Sequence, residues 1–532
     1  MDRIDNCISK NLHITKNPTI IGKTWKDFNM ERSNKKVILY GLGILTNFLW
    51  MRCEGYVEIV AAIDNDKEMQ GHTLGEFFDE DDLKSSKNVK ISSKDVLKEY
   101  SPDEVVVLIS SQRYYEEIAS DLDVKKFHCY FSILNLEYHY REYMKKNNLS
   151  FDTEYTYMRN YAKKCVEKYP IQKNKIVISV EAYADHAKII TEKLLSLNKN
   201  LDIVWVMDKI TLNVPNGVRI VYIKRWKQYI YEMETAKIWV YNIYVLTFLL
   251  IKRENQIYIQ TKHWGSITLK TFSLDNVKNK NNTENFVLNG QWMDYIISGS
   301  KFDEDSCRSA FNFKGKFLRF GSPRSDILFS SAKKCREKVF KKYNINPDEK
   351  VLIYAPTFRL DKKKGYFDLI WQNLDFEMLL NSLQNKWSNT TWKIFLRLHP
   401  AIKSRANQIK KTNYVVDVSE YEDSQELVAA SDIMLSDFSS IIFESAYIMR
   451  PVFLYAPDKE TYQKDDRELL LDYDSLPFPI STTNEELSEQ IKNFDEKIYK
   501  ENVRAFLDKY DVHEDGHASE RTAKFILELI GE

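Results

Sequence analysis

The 532-residue chain has few cysteines, and nothing in their spacing suggests a use. The six are scattered along the sequence without a C-x-x-C pair. A cysteine zinc site typically shows C-x-x-C pairs, and a disulfide framework is typical of short, cysteine-rich secreted chains, so this pattern argues against either and fits a reducing cytosol. Glycine is also sparse, at 15 residues, whereas 32 tyrosines and 28 phenylalanines are present. With 43% hydrophobic and 29% charged residues, the composition is that of a folded protein.

An excess of charge and a long apolar run are missing as well. Lys and Arg together number 77, as do Asp and Glu, so no overall positive field attracts the chain to nucleic acid. The longest apolar run, residues 238–251, has 14 residues and contains Asn242, so it is too short to span a bilayer. The polar start, residues 1–16, lacks the apolar core of a signal peptide. These features predict a cytosolic protein that attaches to a membrane peripherally, if at all.

Strands and helices alternate along the chain and predict the α/β class. Apolar strand patterns such as residues 36–40 (KVILY), 175–180 (KIVISV) and 350–356 (KVLIYAP) recur with helical segments between them, as in parallel sheets. A chain of this length is expected to form about three domains. The predicted division is an irregular leader over 1–34, a small Rossmann-like accessory module over 35–145, and two facing Rossmann-like domains over 150–335 and 336–532.

The accessory module carries an incomplete dinucleotide-binding motif. Gly41 and Gly43 follow its first strand, and Asp64 ends the second strand about 20 residues later, where a dinucleotide fold places its acid. The third glycine of the motif is missing. Since G-x-G alone is a weak signal, a tight turn without a bound dinucleotide is the favoured interpretation, and the ligand of the module stays open.

Polar residues collect at the ends of strands in the rest of the chain. His263 follows the strand pattern at 256–260, and His399 follows another strand in TWKIFLRLHP. The DFSS sequence from Asp437 to Ser440 opens a helix, where backbone N–H groups and hydroxyls can bind an anion, although such residues also cap ordinary helices. Doubly wound sheets bind ligands at these strand ends, and arginines there suit a diphosphate. Besides the histidines, the candidate binding residues in these segments are Asp437, Ser439, Ser440, Glu444, Arg324, Arg359 and Arg397.

Eight features follow one another in a characteristic order. They are Asn242 ahead of Lys252–Arg253, QTKH (260–263), GSPRSD (321–326), YAPTFR (354–359), LRLHP (396–400), SDFSSIIFE (436–444), RPVFLY (450–455) and DGHASER (515–521). With them the chain resembles the CDP-glycerol glycerophosphotransferase family, which builds teichoic acids and related phosphopolyol polymers. The resemblance covers about residues 175–525 and implies a GT-B fold, to which the N-terminal module is an addition.

The resemblance also implies a reaction. A hydroxyl of a growing polymer or a lipid-linked primer attacks the β-phosphorus of a CDP-polyol, and CMP leaves. His263 is then the expected general base, because a neutral imidazole near pH 7 suits that task. His399 is expected to hold or protonate the pyrophosphate oxygens, and the two roles can be exchanged.

Donor binding is expected at the DFSS helix. In this interpretation Ser439 and Ser440 bind the diphosphate, and Glu444 accepts hydrogen bonds from ribose hydroxyls. No tightly bound cofactor and no protein-held metal are expected, although Mg²⁺ can accompany the nucleotide. The residues expected to neutralise phosphate charge are Arg359, Arg324 and Lys270.

One loop departs from the family pattern. The family usually has His-Gly-Thr-Pro-Leu-Lys, whereas residues 263–270 read HWGSITLK, and Lys262 stands where tryptophan is usual. The loop is therefore longer and lacks proline. This leaves the substrates open. The polyol can be glycerol or ribitol, the enzyme can be a primase or a polymerase, and the product can be a teichoic acid or a capsule polymer.

Two other functions stay open. A GT-B glycosyltransferase that uses a nucleotide sugar would share the fold and the helix-borne diphosphate site, and an inactive scaffold would explain the altered loop. For the transferase, the expected partners are CDP-glycerol or CDP-ribitol and a lipid-linked or polymer acceptor at the inner face of the cell membrane. Other glycan-assembly enzymes are candidate partners, and nucleic acid is not expected.

Overall fold

The protein is described by a computed structural model that covers most of the chain. The described residues are 23–53, 56–111, 114–150, 154–198, 200–207, 214–276, 283–361, 366–368, 373–388, 390–399, 402, 412–465 and 467–531. Three parallel sheets follow one another in sequence, and a separate two-stranded antiparallel pair follows the first strand of the third sheet in the chain. The α/β class predicted from the sequence is confirmed.

The first sheet contains five strands in the order β3-β2-β1-β4-β5. Its central strands are almost wholly buried and apolar, as expected for a parallel sheet that is covered on both faces. The strands are β1 (Lys36–Tyr40), β2 (Ile59–Ile63), β3 (Ile91–Ser92), β4 (Val105–Ile109) and β5 (Tyr130–Ser132). The helices of this region are Trp25–Arg32, Asn47–Arg52, Leu74–Phe77, Glu80–Leu83, Tyr115–Val124 and Ile133–Lys146.

Part of the predicted irregular leader is helical. Thr24 and Asp27 form a reciprocal capping box that starts helix Trp25–Arg32. Trp25 and Phe28 are buried in the apolar core of the first sheet. The short helix lacks a strong apolar period in the sequence, so packing and the capping box account for it. Residues 1–22 of the leader lie outside the described part of the chain.

The second sheet contains seven strands in the order β12-β11-β10-β9-β6-β7-β8. Its strands are β6 (Gln172–Ser179), β7 (Asp202–Met207), β8 (Val218–Tyr222), β9 (Ala236–Tyr241), β10 (Ile257–Gln260), β11 (Tyr295–Ser298) and β12 (Lys316–Arg319). Its helices are Glu154–Lys168, Asp185–Leu197, Trp226–Thr235, Thr283–Trp292 and Lys301–Ala310.

The third sheet contains six strands in the order β17-β16-β13-β18-β19-β20. These are β13 (Lys350–Ala355), β16 (Trp392–Leu396), β17 (Val415–Asp417), β18 (Ile433–Ser436), β19 (Val452–Tyr455) and β20 (Ile480–Ser481), while β14 (Arg359–Asp361) and β15 (Tyr366–Asp368) form the antiparallel pair. The helices are Asp326–Ser330, Ala332–Tyr343, Phe376–Lys386, Ser424–Ala430, Ile441–Tyr447, Lys459–Asp465, Asn484–Lys492 and Glu496–Lys509.

Two helices do not follow the predicted domain boundaries, one by crossing a boundary and the other by packing on another sheet. Helix Ala332–Tyr343 spans the predicted boundary at 335, and its apolar face packs into the core of the third sheet. The last helix, Ala518–Ile530, returns to the second sheet, where Ala523 and Ile526 are buried in its core. Apolar packing rather than chain order therefore decides where these helices lie.

All three sheets reverse their strand order beside the first strand, between β1 and β4, β6 and β9, and β13 and β18. Such a reversal opens a crevice at the carboxyl ends of the strands, where doubly wound sheets bind ligands. Within the described residues, no helix is both long enough and apolar enough to cross a membrane.

Candidate active site

Asp437 organises the switch point of the third sheet. One carboxylate oxygen accepts hydrogen bonds from the backbone N–H of Thr357 (2.8 Å) and of Phe438 (2.7 Å), and the other accepts one from Arg359 (2.8 Å). The bonds join the segment after β13 to the turn after β18. Asp437 is buried, so it shapes the DFSS turn from behind.

Arg359 is occupied by protein groups. It donates to both oxygens of Asp458 (2.7 and 3.1 Å), to Asp437 and to the Thr357 carbonyl (2.6 Å). Its guanidinium lies 4.6 Å from the ring centre of Tyr462. Most of its N–H groups therefore have protein acceptors, and through Asp437 it holds the DFSS turn. The expected contact of Arg359 with a diphosphate stays a prediction.

The two serines of DFSS have different neighbours. Ser439 accepts a long hydrogen bond from the N–H of Ile441 (3.5 Å) in its own helix. Ser440 accepts one from the N–H of Leu269 (3.1 Å), and its hydroxyl lies 3.2 Å from that of Thr268. Ser440 therefore contacts the loop after His263, which belongs to the second sheet.

Further contacts hold that loop against the third sheet. The hydroxyl of Tyr447 accepts hydrogen bonds from the N–H groups of Ser266 (2.9 Å) and Ile267 (3.1 Å). Further along the loop, the N–H of Leu470 donates to the Leu269 carbonyl (2.8 Å). The loop that departs from the family pattern is thus clamped between the sheets.

His263 lies where the second and third sheets face each other. Its carbonyl accepts a hydrogen bond from Arg324 (2.8 Å), and its ring lies edge to face with Trp264. Solvent reaches the ring. The surrounding protein lowers the pKa of His263 to about 4; Asp185 opposes this shift, while Arg324 and Arg467 add to it. The imidazole is consequently neutral near pH 7.

His399 faces the same cleft from the third sheet. Solvent reaches this side chain too, but the protein around the cleft partly desolvates it and lowers its pKa to about 4, and the charges of Lys270 and Arg397 add to the shift. Its ring packs against Phe358, with ring centres 4.4 Å apart. The structure therefore brings the two predicted histidines and Lys270 together, across the cleft between the second and third sheets.

Arg324 links the two sides of this cleft. Besides the His263 carbonyl, it contacts Asp185 of the second sheet (3.2 Å) and Glu444 of the third sheet (3.1 Å). Glu444 is 2% exposed and also accepts a hydrogen bond from Gln425. Burial raises the pKa of Glu444, and the charge of Arg324 opposes that shift. Both Arg324 and Glu444 thus have protein partners in this structure, in addition to any substrate role.

Comparison with known proteins identifies the family. The profile described as CDP-Glycerol:Poly(glycerophosphate) glycerophosphotransferase matches residues 161–528, well over half of the chain. The chain belongs to this family. The predicted family and its class, a transferase enzyme, are confirmed.

Curated and solved relatives agree with the family. A teichoic acid poly(glycerol phosphate) polymerase of Bacillus spizizenii is 31% identical over 344 residues, 62% of this chain and 84% of that protein. The teichoic acid poly(ribitol-phosphate) polymerase of the same species is 24% identical over 492 residues, 89% of this chain and 74% of that protein. A structure of the wall teichoic acid polymerase TagF, a variant with CDPG, has a TM-score of 0.61 at 26% identity and covers 74% of this chain and 96% of that chain. The match spans 49% of the length of two further polymerases, from Staphylococcus epidermidis and Bacillus subtilis.

Arg397 and Lys270, the two remaining predicted cations of the site, have distinct surroundings. Arg397 donates to the carbonyls of Val418 (3.2 Å), Ser419 (3.1 Å) and Tyr421, so it organises the loop after β17. Lys270 lies 5.6 Å from the ring centre of Tyr462 and beside His399. Of these two cations, Lys270 is the better placed for a phosphate group.

Three residues of the transferase site were missed by sequence reasoning. Asp185 has a φ of 63°, a left-handed conformation that is costly for a non-glycine residue and often marks a functional site. His186, buried beside it, lies 3.3 Å from the Trp264 carbonyl. Both follow β6, and that position was the signal available in the sequence. Arg467 had no such signal, because only the pairing of its segment with residues 269–271 brings it near His263.

The transferase site shows no metal cluster. Within the described residues, no group of three or more His, Cys, Asp or Glu side chains is placed to hold a metal ion. The groups that can act on a substrate in the cleft are two neutral imidazoles, the cations Lys270 and Arg467, and hydroxyls such as that of Ser439. This set can accept a proton and stabilise phosphate charge.

Proposed function

We propose that the protein transfers glycerol phosphate or ribitol phosphate from a CDP-polyol to a hydroxyl of a growing teichoic-acid-like or capsular polymer and releases CMP. The observation that carries the proposal is the pairing of His263 and His399 across one cleft, with Lys270 and Arg467 beside them. Family membership supports the reaction class.

The proposed reaction assigns a role to each of these groups. The acceptor hydroxyl oxygen forms a bond to the β-phosphorus while the bond between that phosphorus and the CMP oxygen breaks. His263 takes the hydroxyl proton, since its neutral nitrogen is available at pH 7. His399 donates a hydrogen bond to the phosphate oxygens, and Lys270 and Arg467 offset the negative charge. The alternative exchanges the roles of the two histidines.

The proposal extends to the domain arrangement. The second and third sheets form the two halves of a GT-B fold, with the acceptor on the second and CDP on the third, near Ser439 and Ser440. A contact of Glu444 with ribose is part of this proposal and has to coexist with its bond to Arg324. The first sheet, within residues 35–145, is an accessory module.

Partners and location follow from the acceptor chemistry. A lipid-linked or polymer acceptor places the protein at the inner face of the cell membrane as a peripheral protein in the cytoplasm. Mg²⁺ accompanies the CDP-polyol rather than binding to a dedicated protein site. Both glycerol and ribitol stay candidates, because relatives of this chain are named for either polyol.

The deciding experiment measures CMP release from CDP-glycerol and CDP-ribitol, separately, with a polyol-phosphate primer. We expect CMP from one donor, and a loss of about 10²–10⁴-fold in His263→Ala and in His399→Ala, as for general acid–base groups. His128→Ala is the matched control, because His128 is exposed on the first sheet. Release of UDP from UDP-sugars without CMP would instead support the glycosyltransferase. Folded protein that releases neither nucleotide would support the scaffold.

A further inference from the structure

The first sheet has a large cavity at its switch point, far from the transferase cleft in the chain. The cavity has a volume of about 1170 Å³ and lies where β1 and β4 diverge. Small-molecule sites have volumes of about 300–1,000 Å³, so it can hold a ligand of nucleoside size or larger. Nothing in the proposed polyol transfer uses it.

At the glycine turn, one wall of the cavity consists of backbone without side chains. Gly41 has a φ of 81°, and a Cβ there would come within 2.8 Å of Ser111, so the turn packs tightly against the end of β4. A Cβ at Gly43, in contrast, would meet only the Ser110 carbonyl, at 3.8 Å. Gly43 therefore exposes its backbone to open space on the cavity side, as a close approach by a ligand requires.

Hydrogen-bond acceptors line the cavity. Asp64 accepts one hydrogen bond on each carboxylate oxygen, from the N–H of Leu42 (2.9 Å) and of Asp66 (3.0 Å). Each oxygen keeps a further lone pair, so the carboxylate is oriented and can accept two more hydrogen bonds. Asp66, Glu116 and Glu117 also line the cavity. A ligand with adjacent hydroxyl groups matches this set, because hydroxyls donate to carboxylates.

Two buried polar groups in the wall have no partner. The side chains of Asn135 and Tyr115 both line the cavity and are 4% and 8% exposed. The Nδ2 of Asn135 and the hydroxyl of Tyr115 have no hydrogen-bond partner within the described part of the chain. An unsatisfied buried polar group costs about 1–3 kcal/mol. Because solvent does not reach either atom, this cost belongs to the wall of the cavity, and a bound ligand would meet these atoms only after the side chains had turned.

The cavity also reaches the second sheet. Lys224, which follows β8, is one of its lining residues. Near it, Tyr222 packs against Phe77 of the first sheet, with ring centres 5.2 Å apart, and Asp79 accepts a hydrogen bond from the N–H of Lys227 (3.0 Å). A ligand in the cavity would therefore contact both sheets.

We infer that this cavity binds a small molecule with vicinal hydroxyl groups, and that binding strengthens the contact between the first and second sheets. A nucleoside ribose and a free polyol share this chemistry. The carboxylate of Asp64 accepts from the two hydroxyls, the bare turn at Gly43 admits the ligand, and Lys224 closes the site.

The test measures binding to the full chain by titration calorimetry. The probes are adenosine and 2′-deoxyadenosine in one arm and ribitol in the other. We expect saturable binding of adenosine or ribitol, and weaker binding of the deoxynucleoside. Gly43→Val adds a side chain at the glycine turn, where its Cβ meets only the Ser110 carbonyl at 3.8 Å, and Asp64→Asn removes the carboxylate. Each should weaken binding by about tenfold or more. Asp103→Asn, on an exposed loop, is the matched control for the charge.

The outcomes are separable. Absence of saturable binding in both arms would overturn the inference, as would binding that Gly43→Val and Asp64→Asn leave unchanged while circular dichroism shows them folded. Binding sensitive to His263→Ala rather than Gly43→Val would place the ligand in the transferase cleft and would also overturn it. Hydrogen exchange at residues 224–228 should slow when the ligand binds, and unchanged exchange would refute the coupling between the sheets.

Discussion

The protonation states of His263 and His399 decide which proton transfers the cleft can perform. Although solvent reaches both side chains, the protein around the cleft partly desolvates them and lowers the pKa of each to about 4, well below the ordinary value near 6.5, and the nearby cations reinforce the shift. A group with a lowered pKa is neutral, and able to accept a proton, above that pKa. The enzyme should therefore keep its base over the whole physiological range.

The pH dependence of kcat/KM tests this at the residue scale. We expect CMP release to be flat between about pH 6 and 8 and to fall only as the pH approaches 4 to 5, because kcat/KM reports the free enzyme. Initial rates across this range, with circular dichroism to show that the fold persists, are the measurement. A midpoint near 6.5 would contradict the lowered pKa.

Glu514 gives a second prediction at this scale. It contacts the Ser266 hydroxyl and accepts from the Ser322 N–H (3.1 Å), and burial raises its pKa to about 8 from an ordinary value of 4.5. The folded state then binds more protons than the unfolded state, so the free energy of unfolding falls as the pH rises from about 4.5 to 8.

Replacing Glu514 by glutamine should remove this dependence. In urea titrations at pH 5.5 and 8.5, Glu514→Gln should gain stability relative to wild type at the higher pH, since it mimics the neutral acid. Glu528→Gln, on an exposed helix surface, should show no such trend. A constant difference between Glu514→Gln and wild type at both pH values would disprove the raised pKa.

At the scale of elements, a buried ion cluster joins the second and third sheets. Lys188 of helix Asp185–Leu197 contacts Asp423 (2.9 Å) and Glu426 (2.8 Å) at the start of helix Ser424–Ala430. Removing one member of such a cluster leaves a buried charge without its partner. The helix that carries Lys188 begins at Asp185, which contacts Arg324 in the transferase site. The ion cluster therefore also helps to hold Asp185 in place.

We expect Lys188→Met to lower the free energy of unfolding by about 3 kcal/mol, the low end for a broken buried pair, because Lys338 still neutralises Glu426. Lys193→Met in the same helix changes a partly exposed pair with Glu520 and should cost less than about 1 kcal/mol. Chemical denaturation of both variants is the measurement. Equal losses would show that the cluster contributes little.

At the scale of the whole molecule, Asp79 couples the first sheet to the second. It accepts hydrogen bonds from the N–H groups of Lys227 (3.0 Å) and Gln228 (3.3 Å), at the start of helix Trp226–Thr235. Arg225, the residue just before this helix, makes no side-chain hydrogen bond that caps it. A residue of one sheet therefore caps a helix that covers another.

Asp79→Ala should cost about 0.5–2 kcal/mol, as for the loss of a helix cap, and should speed hydrogen exchange at Lys227 and Gln228. The first sheet itself should keep its protection, because its core does not involve Asp79. Asp103→Ala on an exposed loop is the control. Unchanged exchange at both amides would mean that the cap is not formed.

Much of the fold could be predicted from local patterns. The apolar run KVILY predicted β1 with the bounds that the structure has, and EVVVLIS predicted β4 to within a residue at each end. The leader helix Trp25–Arg32 was missed because its few apolar residues show no clear period. Its stability comes from Trp25 and Phe28 in the core of the first sheet.

The candidate site was predictable only in part. Histidines and serines after strands are visible in the sequence, since parallel strands end at one edge of a sheet. The protein partners of Arg359, Arg324 and Glu444 could not be read from the sequence. An arginine or a glutamate looks the same in a sequence whether its side chain contacts the substrate or another protein group. Arg467 reaches His263 through the pairing of two distant loops.

The sequence by itself determined the strand–helix alternation, the family and the positions of both histidines, because these depend on local periodicity and on motifs within short segments. Only the tertiary structure decided that the two histidines are neutral and face each other, that Arg324 joins the two sheets, and that the first sheet encloses a cavity reaching Lys224. Burial and charge proximity set these properties, and both arise from residues far apart in the chain.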